Sequence, residues 1–257
     1  MAEIHPTAIV NTGAELSDSV TVGPFTIIED DVVIGSGTQI LSHARIASGA
    51  RIGKECIIHH GAVLGTIPQD LKFSGEKTTI EIGDRTVIRE YCMLNRGTKH
   101  SGTSLIGSDS LLMAYCHVAH DCFVGDHVIL ANGVQLAGHV TIEDWAIVGG
   151  LVPIHQFCTV GCHVMIGGGY RVVQDVPPYI MAASEPLGFK GVNVIGLRRR
   201  GFEKEAIDAL RRCYRLIYRS KLNLTQAKTR IHEELELTPE ISHVLDFIQQ
   251  SERGIIR

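Results

Sequence analysis

The sequence predicts a parallel β-helix closed off by a small α-helical domain, on three observations. An aliphatic residue recurs at every sixth position from Ile4 (Val10, Leu16, Val22, Ile28, Ile34, Ile40) as far as Val172, filling 26 of the 29 slots in that register. The residue after it is repeatedly glycine, as at Gly23, Gly35, Gly53, Gly83, Gly107, Gly125, Gly149, Gly161 and Gly167. Beyond Asn193 the apolar period changes to that of an amphipathic helix.

In a hexapeptide β-helix each unit is one short strand plus a corner, and only stacking on neighbouring coils buries its aliphatic side chain. The fifth slot is small or β-branched (Ala8, Ala14, Val20, Thr26, Val32, Thr38, Ala44, Ala50, Ala62), which suits a narrow interior corner. The glycines are expected where the backbone turns tightly. Three hexads make one triangular coil, so residues 18 apart stack on the same corner at roughly 4.8 Å. The three slots without an aliphatic residue, Asp70, Glu76 and His100, lie in two tracts, about 66–81 and 96–105. These read as external loops, because the pattern resumes in phase at Ile82 and Ile106. The repeat ends near Val172, and the prolines of QDVPPY (Gln174 to Tyr179) suit neither helix nor central strand. The β-helix is therefore assigned to 1–178 and the helical domain to 179–257. Within the latter, Gly201 to Tyr218 sets Ile207, Leu210, Tyr214, Ile217 and Tyr218 on one face. A second helix is expected after Asn223 or Thr225, and a third from the Thr238-Pro239 pair. Together they would cover the unpaired edge of the last coil.

A net charge of −4 and 5% aromatic residues argue against a nucleic-acid binder. No apolar run nears the ~20 residues of a membrane span, and no signal peptide precedes the repeat, so a cytoplasmic location is expected. Of the seven cysteines, Cys56, Cys92, Cys116, Cys122 and Cys158 occupy the fifth slot and read as buried hydrophobes. Cys162 and Cys213 lie elsewhere, with no zinc-site spacing near them.

Proton chemistry is sought first among the 13 histidines. His5, His43, His59, His127, His155 and His163 fall at corner slots where polar residues are ordinary. The denser cluster runs from His117 to Cys122. A step of 18 from His120 reaches Gly138, and a second reaches Gln156; the neighbouring column runs Asp121, His139, Phe157. One corner thus gathers a proton acceptor, a glycine N–H, an amide, a carboxylate and a second histidine. That set suits acyl transfer to a hydroxyl. The imidazole would take the hydroxyl proton, an effect of about 10²- to 10⁴-fold, and the N–H would face the oxyanion, worth about 2.7–4 kcal/mol. A solvated polar corner and a zinc site are competing readings of the same residues.

Between Arg198 and Lys221 nine basic residues accompany three acidic ones, a segment of +6 in a chain of −4. Arg212, Arg215 and Arg219 share one helical stripe and read as a docking patch for an anionic partner, against the plainer reading of a solvated helix face.

The motifs PQDLK (Pro68 to Lys72), IGSDSLLMAYCHVAHDC (Ile106 to Cys122), LAGHV (Leu136 to Val140), IHQF (Ile154 to Phe157), QDVPPY and NVIGLRRRGF (Asn193 to Phe202) occur in this order. In them the chain resembles, over essentially its whole length, the bacterial UDP-N-acetylglucosamine O-acyltransferases that begin lipid A synthesis. The resemblance implies a homotrimer of left-handed β-helices with active sites in clefts between subunits. It implies transfer of a (3R)-hydroxyacyl group from the phosphopantetheine arm of acyl carrier protein to the sugar 3-position of UDP-N-acetylglucosamine, with no other cofactor and no metal. His120 would be the general base, Asp121 its support and Gly138 the oxyanion donor. Asp70, Lys72, His117, His139, Gln156, Asn193, Arg199 and Arg200 would contact substrate, and Gly168 would limit acyl length. The partner of Arg212, Arg215 and Arg219 would be the acidic carrier protein.

Two departures stand out. Asn95-Arg96-Gly97 replaces the His-Arg-Gly common in the family, and Tyr170-Arg171 replaces residues that are small in many members. The alternative functions are acylation of a 3-amino sugar analogue on the same site and a non-catalytic β-helix binding module. The stacked His120, Gly138 and Gln156 speak against the module.

Overall fold

Two-residue strands alternating with four-residue corners dominate the computed structural model, which describes all 257 residues. The strands form three faces, called A, B and C in the order the chain meets them, of eleven, eight and eight strands. Glu3–Ile4 pairs with Thr21–Val22 in face A, Ile9–Val10 with Ile27–Ile28 in face B, and Glu15–Leu16 with Val33–Ile34 in face C. Within the β-helix every pairing is parallel, and partners lie 18 residues apart except where a loop intervenes, as a left-handed β-helix requires. The aliphatic slot points inward, and Ile28, Ile46, Leu64, Leu94, Val118 and Leu136 of face B have no solvent exposure. Each such burial stabilises by about 1.5–3 kcal/mol. The first coil has no neighbour beneath it and leaves Ile4 45% exposed.

The recurrent glycines have a different cause from the one expected. Apart from Gly65, those in the slot after the aliphatic residue do not adopt positive φ. They are needed because coils approach closely there: a methyl on Gly35 would lie 2.6 Å from the Gly53 carbonyl carbon, and one on Gly107 2.5 Å from that of Gly125. The left-handed turn falls two residues later and is taken mostly by other residues, among them Asp121 (58°), His139 (63°) and Phe157 (63°). A coil-to-coil hydrogen bond offsets the strain, the N–H of His139 donating to the carbonyl of His120 (3.1 Å) and that of Trp145 to the carbonyl of Asp126 (2.9 Å).

Both loops are shorter than expected. Strands Thr79–Ile82 and Thr103–Ile106 begin inside the predicted tracts, pairing Thr79 with Thr103 and Ile80 with Ala50, so the excursions run over 67–78 and 96–102. Leu64 stacks on Leu94 and Ile82 on Ile106, separations of 30 and 24 that exceed one coil by 12 and 6. Insertions in multiples of six leave the register intact. Asn95 is buried at the base of the first loop, its Nδ2 donating to Thr66 Oγ1 (2.9 Å) and to the Ile67 carbonyl (3.1 Å). Arg96 donates to the Ser48 carbonyl (2.8 Å) and lies over the Phe73 ring. These two residues hold the loop down.

Face A continues across the boundary expected at 178. Ile180–Ala183 adds in parallel beside Met165–Ile166, and Gly188–Val192 returns antiparallel, so a hairpin covers the last coil before any helix does. Four helices follow: α1 (Val194–Arg199), α2 (Lys204–Arg219), α3 (Leu224–Glu234) and α4 (Pro239–Gln250). An Asn223–Gln226 capping box starts α3, and a Thr238 cap with proline at the first helical position starts α4. Helix α2 buries Ile207, Leu210, Tyr214 and Ile217, and the Tyr214 hydroxyl donates to the Pro178 carbonyl. All seven cysteines are unpaired, and every one but Cys162 is buried. No helix is long and apolar enough to cross a membrane.

Candidate active site

His120 and Asp121 follow the face-B strand His117–Val118 at the corner that leads to face C. Gly138 and His139 take this corner one coil on, and Gln156 and Phe157 the next. Both loops leave the β-helix from the same edge, since each connects a face-B strand to a face-C strand.

The Asp121 side chain is fully buried, and its carboxylate is surrounded by donors. It accepts from the N–H groups of Thr98 (2.9 Å) and Ser101 (3.2 Å), from both their hydroxyls, and from His120 Nδ1 at 2.7 Å. Burial alone would raise its pKa; donation from Ser101, His120 and Thr98 outweighs burial and holds the carboxyl well below the usual range. An ionised carboxylate only accepts, so Nδ1 of His120 is the donor, and in the neutral imidazole that leaves the lone pair on Nε2. That lone pair faces the next coil. A methyl on Gly138 would lie 2.6 Å from Cε1 and 2.8 Å from Nε2 of His120, so only glycine leaves room for the ring. The Gly138 N–H donates to no group of the chain.

Aromatic rings wall the corner. His139 meets His120 edge-on (5.0 Å, 87°), lies flat on Phe157 (4.4 Å, 4°) and takes the edge of His100 from the second loop (4.7 Å). Its Nε2 is 3.9 Å from Asp121 Oδ2, and burial lowers its pKa against the opposing pull of that carboxylate. His117 donates from Nδ1 to the Met93 carbonyl (3.0 Å), and burial lowers its pKa too. Gln156 is exposed on the corner. A cavity of about 510 Å³ opens beside the stack, lined by Asp70 and Lys72 of the first loop, Thr98 and His100 of the second, and His139 and Phe157.

The remaining predicted residues lie on other edges. At the corner from face C to face A, Arg200 donates to His163 Nδ1 (3.1 Å) with its guanidinium 5.2 Å from the Trp145 ring centre, while Arg199 is exposed at the end of α1. Asn193 makes no open contact surface: its Oδ1 caps α1 through the Gly196 N–H (3.2 Å) and its Nδ2 donates to the His163 carbonyl (2.9 Å). It positions the two arginines. Gly168 occupies the corner from face A to face B, where a methyl would lie 3.2 Å from the Gly150 carbonyl oxygen. Arg212, Arg215 and Arg219 are exposed on α2 and line a cavity of about 410 Å³ floored by Phe189, Val192 and Val194. Only their neighbour Arg211 is paired, with Asp208. Thr98, Ser101, His100 and Phe157 were not singled out from the sequence as site residues. The interruption of the hexads directly before the His120 coil is the signal that points to the first three.

His120, Asp121 and His139 offer nitrogen, oxygen and nitrogen donors within 4.8 Å of one another, a set that divalent cations accept. The Asp121 oxygens, however, already accept from Thr98, Ser101 and His120. A cation would have to displace these donors, so the arrangement fits a hydrogen-bonded base better than a metal ligand.

Two family models match the chain. One, described as bacterial transferase hexapeptide (six repeats), covers residues 31–66 and 103–138; the other, described as UDP N-acetylglucosamine O-acyltransferase, domain 2, covers 175–256. A Thiobacillus denitrificans protein named acyl-[acyl-carrier-protein]--UDP-N-acetylglucosamine O-acyltransferase is 53% identical over 258 residues, covering 100% of both chains. A UDP-N-acetylglucosamine acyltransferase structure from Bacteroides fragilis superimposes with a TM-score of 0.97 at 47% identity, over 98% of this chain and 99% of that one. The Arabidopsis UDP-N-acetylglucosamine acyltransferase structure gives 0.87 at 35%, over 99% and 100%.

Proposed function

The chain belongs to the UDP-N-acetylglucosamine O-acyltransferases, and on that footing we propose that it moves a (3R)-hydroxyacyl group from acyl carrier protein to the 3-hydroxyl of UDP-N-acetylglucosamine, opening lipid A biosynthesis, with His120 as general base. The observation that carries the residue assignment is the stack of Asp121, His120 and Gly138: a buried acceptor, an imidazole whose Nε2 is free, and an N–H without a partner. His120 Nε2 takes the sugar hydroxyl proton as the oxygen attacks the thioester carbonyl. Charge develops on the carbonyl oxygen, toward the Gly138 N–H. Collapse expels the phosphopantetheine thiolate, which recovers the proton from the imidazolium. Asp121 stays ionised throughout, keeps Nδ1 protonated and stabilises the imidazolium. Thr98 and Ser101 fix that carboxylate, and the donor's phosphopantetheine arm is the only cofactor the reaction needs. Asp70, Lys72, His117, His139 and Gln156 hold the sugar and acyl groups.

One prism separates the working parts, with His120 on the B–C edge, Arg200 and Arg199 on the C–A edge and Gly168 on the A–B edge. A three-fold assembly that sets one face of a prism against a different face of the next brings all three kinds of edge to one cleft, so the proposed enzyme is a homotrimer with sites between subunits. In that cleft the arginines take the nucleotide phosphates and Gly168 sets the end of the acyl groove. The stripe Arg212, Arg215 and Arg219 docks the acidic carrier protein.

Turnover of a 3-hydroxyacyl carrier protein with UDP-N-acetylglucosamine, followed as O-acylated product, tests the reaction. Co-assembly of inactive His120→Ala and Arg200→Ala chains tests the shared site: about a quarter of sites in random trimers would combine both intact residues and recover activity. No recovery would place the whole site in one chain.

A further inference from the structure

Away from the catalytic corner, three metal-ligating side chains from distant parts of the chain meet where α4 packs on the β-helix. Glu143 follows the face-C strand Thr141–Ile142, Cys162 follows Thr159–Val160 one coil on, and His243 comes from α4. Their donor atoms, a carboxylate oxygen, a thiol sulfur and an imidazole nitrogen, lie within 4.8 Å of one another. Glu143 Oε2 accepts from the Cys162 N–H (2.8 Å) and stands 2.9 Å from His243 Nε2. The histidine ring packs edge-on to Tyr179 (6.1 Å, 76°), which limits its rotation. The cluster is reachable, since Glu143 and His243 retain 25% and 38% side-chain exposure and Cys162 is the one cysteine that is not buried.

We propose that Glu143, Cys162 and His243 form a zinc site that clasps the helical domain to the last coils of the β-helix. Packing accounts for the other six thiols, which are interior; it does not account for a thiol on a corner beside a carboxylate and an imidazole. Mixed sulfur, nitrogen and oxygen donors suit zinc, whose ligand bonds of about 2.0–2.3 Å place neighbouring donors roughly 3.3–3.8 Å apart in a tetrahedron. Side-chain shifts of about an ångström reach that spacing. Three protein ligands leave the fourth position to water on the open side. Binding expels the thiol proton and the proton on His243 Nε2, so affinity falls as the pH is lowered. The ligands are 19 and 81 residues apart in sequence (143, 162, 243), which is why no zinc motif is legible in the chain.

The test titrates the full-length protein with Zn²⁺ against a chromophoric chelator and with Co²⁺ in the near-ultraviolet. One equivalent of zinc per chain is expected, together with a thiolate-to-cobalt charge-transfer band that Cys162→Ser abolishes. Cys162→Ser and His243→Ala, each confirmed folded by circular dichroism, should weaken zinc binding about tenfold or more. His139→Ala, which alters the other donor trio, should leave it unchanged. Saturating zinc should raise the wild-type Tm by several degrees and that of Cys162→Ser not at all. Absence of stoichiometric zinc, zinc retained by both Cys162→Ser and His243→Ala, or zinc lost in His139→Ala would overturn the proposal and leave a hydrogen-bonded clasp.

Discussion

Gly138→Ala isolates the geometry of the base from everything else in the protein. Gly138 does not adopt positive φ, so alanine introduces no backbone strain, and the whole perturbation falls on the ring above it. The new methyl would sit 2.6 Å from Cε1 and 2.8 Å from Nε2 of His120, where ordinary contact is about 3.5 Å or more. The imidazole must therefore retreat by about 1 Å, yet Nδ1 is tied to the buried Asp121 at 2.7 Å and His139 closes one side. A displacement of that size costs on the order of 10²-fold in rate, or about 2.7 kcal/mol of barrier. Steady-state kinetics with saturating donor and acceptor read the effect, with sedimentation to confirm assembly. kcat should fall about 100-fold while KM for the nucleotide changes little, because the sugar and phosphate contacts are untouched. A variant that assembles normally and keeps kcat within about threefold of wild type would refute the close packing of base on Gly138.

Charge reversal of Arg212, Arg215 and Arg219 should raise KM for the carrier protein through slower association, and wild-type KM should rise with salt; a salt-independent KM would remove the docking role. Stability should fall on acidification in a window set by His163, whose folded pKa is lowered to about 4 by burial, by the neighbouring Arg200 charge and by His243. A depressed folded value means that stability is fully present above the unfolded pKa near 6.5 and is lost as the pH drops toward about 4. His163→Gln, which keeps an acceptor for Arg200 but does not titrate, should therefore lose less Tm than wild type between pH 7 and 4.5; parallel curves would discharge His163 from this role.

The fold was legible because a six-residue register is a direct image of which side chains point inward. It survived both loops since these insert 12 and 6 residues over single-coil spacing. The stacking of His120, Gly138 and Gln156 was legible for a related reason: no insertion lies between their coils, so a step of 18 stays true there. The hairpin of Ile180–Ala183 and Gly188–Val192 was not, because two short antiparallel strands carry neither the hexad nor the helical period. For Thr98 and Ser101 the broken hexad marks the loop but not what its residues contact. Their service to Asp121 depends on a loop folding back over its own corner, and loop conformation leaves no periodic trace. The glycines were recognised as a pattern but given a turn's reason, whereas the close approach of successive backbones requires them.

If His120 Nε2 accepts the hydroxyl proton in the transition state, removing the imidazole must slow the chemical step. The most direct measurement is kcat of His120→Ala, alongside its nucleotide Kd and its sedimentation coefficient. kcat should fall about 10²-fold or more with binding and assembly preserved; near-normal turnover in a correctly assembled protein would rule out His120 as the base and pass the role to His117 or His139.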